Sequence, residues 1–83
     1  MTMTSTGVDT TYNGWANYHT WNVALYIQND YGLYQWAKEY RHHGYQAFAE
    51  ALNESEITIT DDGVSYTDPD LDIDELDEML AEL

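Results

Sequence analysis

The side chains in this sequence that could do chemistry are mostly carboxylates. Asp68, Asp70, Asp72, Asp74, Glu75, Asp77, Glu78 and Glu82 follow one another with no base between them. Acids at that density can bind cations, move protons, or present an anionic face to a basic partner. The alternation from Asp68 to Asp74 has the every-second-residue spacing of a calcium loop. An EF-hand begun at Asp68 would need glycine at its sixth position and glutamate at its twelfth, but Ile73 and Met79 stand there. Proton transfer needs a cleft and a shifted pKa, and sequence supplies neither. The anionic face is the reading that survives. If residues 68–70 are extended, Asp68 and Asp70 lie roughly 6.6 Å apart at strand rise, comparable to successive phosphates on a nucleic-acid strand. All eight acids are therefore expected to bind a basic surface, such as the groove of a nucleic-acid-binding protein. Asp74, Asp77 and Glu78 are expected to be dispensable for folding, as exposed carboxylates are.

His19, His42 and His43 are the only imidazoles. A zinc site needs three or four converging ligands, and adjacent residues such as His42 and His43 point about 100° apart on a helix. No Ser-His-Asp order, phosphate-cradling glycine loop or HExxH pattern is present. The expectation is no enzyme, no metal and no cofactor.

The charge distribution narrows the partners. Sixteen acids against two bases give −14, yet residues 1–49 carry only Asp9, Asp30 and Glu39 against Lys38 and Arg41. The remaining thirteen acids lie in residues 50–83, without a base. Nucleic acid and anionic membranes both select Lys and Arg, so direct binding to either is excluded. Salt adaptation is the alternative source of acidity, but it would spread acids over the whole surface. The absence of cysteine fits a reducing interior, and no apolar run reaches the roughly 20 residues of a spanning helix. A soluble cytoplasmic protein is expected.

The elements that must position these groups can be read from periodicity. Residues 1–11 read as a flexible leader and 12–83 as one small domain. Burying only around 60% of its unfolded surface, such a domain could gain stability from a partner or as a dimer. The fold class expected is α+β, mainly α: three N-terminal helical segments, one β-hairpin over 57–67, and a short acidic C-terminal helix. Asn17 is suited to cap the first helix, in which Tyr18, Trp21 and Leu25 form one face and Val23 and Ile27 lie nearly opposite. An element apolar on both sides should be central, with Trp15 and Trp21 in the core. Asp30 can cap a second helix striped by Leu33, Trp36, Ala37 and Tyr40, and Gly44 ends or bends it. Tyr45, Phe48, Ala49 and Leu52 mark a third. Ile57 and Ile59 then alternate with threonines before Asp62-Gly63, a two-residue hairpin signal that would set Ile59 opposite Tyr66. Ile57, Ile59, Val64 and Tyr66 would share the apolar face. Asp72-Ile73-Asp74-Glu75 has the form of a capping box, flanked by Leu71 and Leu76 as a staple. Ile73, Leu76, Met79, Leu80 and Leu83 stripe the last helix.

Tyr12-Asn13-Gly14-Trp15-x-Asn17-Tyr18-x-Thr20-Trp21-Asn22-Val23-Ala24-Leu25, closed by Gln28-Asn29-Asp30-Tyr31-Gly32-Leu33-Tyr34, resembles a motif of small uncharacterised proteins from phages, plasmids and haloarchaea. Asp62-Gly63-Val64-Ser65-Tyr66 with Asp68-Pro69 belongs to the same pattern. The resemblance implies no activity, cofactor or catalytic residue. Combined with the charge asymmetry, it points to a mobile-element interaction module that inhibits a host defence system by occupying a basic, nucleic-acid-binding surface. The alternative is a halophilic structural or interaction protein.

Overall fold

Asparagine and aspartate side chains set the helix starts. In the computed structural model, which describes residues 12–83, Asn13-Gly14 closes a tight turn in which the amides of Tyr12 and Trp15 each donate to the other's carbonyl. Asn17 then caps α1 (Tyr18–Asn29), its Oδ1 accepting from the Thr20 amide at 2.8 Å. A single residue separates α1 from α2 (Tyr31–Glu39). Asp30 serves both ends: its amide donates to Tyr26 O, and its carboxylate accepts from the Leu33 amide at 3.0 Å. Gly44 breaks the chain before α3 (Tyr45–Glu54) at φ 94°, a left-handed conformation disfavoured for residues with a Cβ. Helices two and three are therefore separate. The expected leader lies outside the described residues.

α4 (Ile73–Ala81) packs against the other three helices and closes the core. Val23, Ala24 and Ile27 of α1, Ala37 of α2, Phe48, Ala49 and Leu52 of α3, and Leu76, Met79 and Leu80 of α4 are buried in one cluster, and Leu33, Trp36, Tyr40, Ile73 and Leu83 pack against it. The stripes expected for α2, α3 and α4 are the ones observed. That of α1 is not. Its buried face is Thr20, Val23, Ala24 and Ile27, with Asn22 also wholly enclosed. Trp15 is half-buried against the core, and half-buried Trp21 lies outside it, packing with Tyr12 and Tyr18 at ring distances of 4.8 and 5.7 Å.

The expected β-hairpin is corrected by the structure. Among the described residues there are four helices and no strand; between 57 and 67 the sole pairing is one isolated bridge, Ile59 with Ser65. The architecture is mainly helical rather than α+β. The turn spans three residues, Asp61-Asp62-Gly63, with Gly63 at φ 89° and its amide donating to Thr60 O. The Thr60 amide donates to Val64 O, so every pairing moves by one residue and Ile59 and Thr60 exchange faces, while Ile57 still packs against the core. Thr60, Val64 and Tyr66 are buried, whereas Ile59 is 58% exposed. A lone pair of strands is marginal in water, and side-chain ties replace the missing ladder. Asn22 Nδ2 donates to Asp62 at 2.7 Å, and Thr60 Oγ1 donates to Asn22 Oδ1 at 2.6 Å. The Tyr45 hydroxyl donates to Tyr66 O at 2.6 Å, and burial pushes its pKa well above the ordinary tyrosine range.

Candidate functional site

The eight acids divide into two groups. Asp68 Oδ1 accepts from the Asp70 amide at 2.7 Å, and the Leu71 amide donates to Asp68 O, so residues 68–71 form a turn and not the extended segment expected. The phosphate-like spacing argued for Asp68 and Asp70 does not apply there. Asp72 caps α4, accepting from the Glu75 amide at 3.1 Å, which is one half of the expected capping box. The other half is diverted to α1. The Asp72 amide donates to Thr20 Oγ1 at 2.9 Å, and Glu75 Oε1 accepts from the Ala16 amide at 2.8 Å. Thr20 relays this contact to the α1 cap, its hydroxyl donating to Asn17 Oδ1 at 2.8 Å.

Asp77 also holds structure. Its Oδ1 accepts from the Tyr45 amide at 2.7 Å, so α4 caps α3, whose own N-cap, Gly44, has no side chain to offer. The negative charge also lies at the positive end of the α3 dipole. Asp77→Ala should lower stability by about 1–2 kcal/mol, the ordinary cost of a lost cap, and Asp77→Asn by less because its Oδ1 still accepts. Chemical denaturation of the three proteins checks this; an alanine variant as stable as the parent would remove Asp77 from the framework.

Asp70, Asp74, Glu78 and Glu82 remain exposed. Asp74, Glu78 and Glu82 follow at intervals of four, about 6 Å per step along a helix, and form one acidic edge of α4. Glu78 and Glu82 border an open groove of about 390 Å³, whose walls include Trp15, Gln28, Glu75 and Met79. An aromatic and thioether wall beside carboxylates suits a Lys or Arg side chain: the stem lies on the apolar wall while the cation meets the acids. A second acidic region surrounds Tyr66, where burial and then Asp30 and Asp61 push the hydroxyl pKa up to about 12.

Sequence reasoning set His19 aside and treated Asp68 and Asp70 as partner contacts. The structure brings these three together, their potential ligand atoms all within 4.8 Å of one another. Alternating aspartates were the available signal. The missing element was His19, which approaches from the first turn of α1.

No described helix is long and apolar enough to cross a membrane. No curated protein and no solved structure matches the chain. Residues 8–83 match the model of a family of unknown function (DUF7249), and the chain belongs to that family.

Proposed function

We propose that this protein is an acidic interaction module of a mobile element, acting in the host cytoplasm, which inhibits a defence protein by occupying its basic, nucleic-acid-binding surface. The observation that carries this reading is the outward edge Asp74, Glu78 and Glu82, with Glu78 and Glu82 sharing a groove with Trp15. Two bases in the chain can compensate at most a small part of sixteen acids, so this edge presents an uncompensated field. Such a field steers association with a basic protein and makes it salt-dependent. Asp72, Glu75 and Asp77 support the edge by fixing α4 to α1 and α3.

The test uses the triple variant Asp74→Asn, Glu78→Gln, Glu82→Gln, which spares the structural Asp77. A basic host protein captured by the parent should be displaced by duplex DNA and by salt. The variant should bind it about tenfold more weakly at low salt, the sum expected for three exposed ion pairs. Its melting temperature should stay within a few degrees of the parent's. Equal binding by parent and variant, or failure of DNA to compete, defeats the proposal and favours the surface around Tyr12, Tyr18 and Tyr31. Salt adaptation without a partner predicts a different result, a melting temperature that falls from molar to low salt.

A further inference from the structure

We propose that His19, Asp68 and Asp70 form a binding site for a divalent transition-metal ion of the zinc class. The three side chains come from two separate elements, the first turn of α1 and the turn before α4, and their ligand atoms lie within 4.8 Å of one another. Donors around a tetrahedral ion with bonds near 2.1 Å are about 3.4 Å apart, so side-chain rotations that move the ligand atoms by roughly 1 Å bring all three into coordination. Backbone ties hold the turn to the helix. Asn17 Nδ2 donates to Asp70 O at 2.7 Å, and the Asp72 amide donates to Thr20 Oγ1 at 2.9 Å. The Asp70 amide occupies only Oδ1 of Asp68, leaving that carboxylate's second oxygen for a ligand.

Electrostatics favours a cation here. The chain's two bases, Lys38 and Arg41, lie on α2 and just after it, and Lys38 stands over the Tyr34 ring at 5.5 Å. The N-terminus of α1 opposes a cation with about half an elementary charge, which two carboxylates outweigh. The imidazole decides the class of metal. Calcium and magnesium take oxygen ligands, whereas mixed imidazole and carboxylate sets suit zinc and its neighbours, with water completing the shell of this half-buried site. A bound ion would clamp the 68–70 turn to α1, so binding would stabilise the fold.

Calorimetric titration of the full chain, stripped with chelator, with zinc chloride tests this, alongside thermal melts in zinc and in calcium. One zinc ion per chain should bind and raise the melting temperature, with calcium giving no His19-dependent rise. Losing a group that merely orients a ligand already costs about 10–100-fold in metal affinity, so His19→Ala should cost about 100-fold or more. Asp70→Asn, at an exposed position, keeps the fold testable should His19→Ala not fold, and should weaken zinc by about tenfold or more. A His42→Ala, His43→Ala double variant should bind as the parent does. The proposal is overturned by zinc binding that is undetectable below millimolar concentration. It is equally overturned if His19→Ala or Asp70→Asn binds zinc with parental affinity, because the ion would then sit on other acids or on His42 and His43.

Discussion

Replacing Phe48 by alanine should cost about 3–5 kcal/mol and lower the melting temperature by at least about 12 °C, while Trp21→Ala leaves the protein folded. Phe48 has no exposed surface, and its ring packs edge-on or tilted against Trp36, Tyr40 and Tyr45 at 5.8–6.3 Å. It thus ties α2 to α3 at the centre of the cluster, and truncation leaves a cavity that those three large rings cannot collapse into without leaving their rotamers. Native domains have only about 5–15 kcal/mol in hand, and one of this size stands at the lower end. Trp21 has the larger ring but the smaller role. It packs with Tyr12 and Tyr18, both about 40% exposed, outside the core, and truncation there exposes little that was dry. Its loss should cost about 1 kcal/mol. Circular dichroism melts of both variants decide the matter; a Trp21→Ala variant as damaged as Phe48→Ala would restore Trp21 to the core.

The contrast between these two residues shows which features the sequence made legible. Short-range chemistry could be read directly: Asn17, Asp30 and Asp72 each accept an amide three residues on. So could stripes of uninterrupted apolar residues, as in α3. The orientation of α1 could not, because its inward face includes Thr20, and Asn22 is enclosed as well, and each has a partner far along the chain, Asp72 and Thr60. Hydrophobic periodicity counts such residues as outward and assigns Trp21 inward in their place. The hairpin failed for a related reason: a three-residue turn and a two-residue turn are both compatible with Asp61-Asp62-Gly63, and the choice inverts Ile59 and Thr60. For the candidate site, composition located the acids but not their division of labour. That Asp77 caps a helix beginning 32 residues earlier is a fact of packing, with no local sequence signal.

Asn22 makes the strongest case for a polar residue organising this fold. Its side chain is wholly buried, accepting from Thr60 Oγ1 at 2.6 Å and donating to Asp62 at 2.7 Å. Thr60 in turn accepts from the Val64 amide at 3.1 Å, so one asparagine sets the register of the turn that replaced the hairpin. Asn22→Ala leaves the buried Thr60 hydroxyl proton without its acceptor and removes the tie to Asp62, and should destabilise the protein by about 3 kcal/mol. Thr60→Val should also destabilise, but the double variant should fall short of the sum by about 1 kcal/mol or more, since both changes break the same hydrogen bond. Local and global effects separate by hydrogen exchange. In Asn22→Ala the Val64 and Tyr66 amides should lose protection beyond the global loss, while amides within α3 follow global stability alone. If Asn22→Ala and Thr60→Val prove additive, and the Val64 amide keeps its relative protection, then Asn22 does not set this register and the buried Val64 and Tyr66 side chains hold the segment through packing instead.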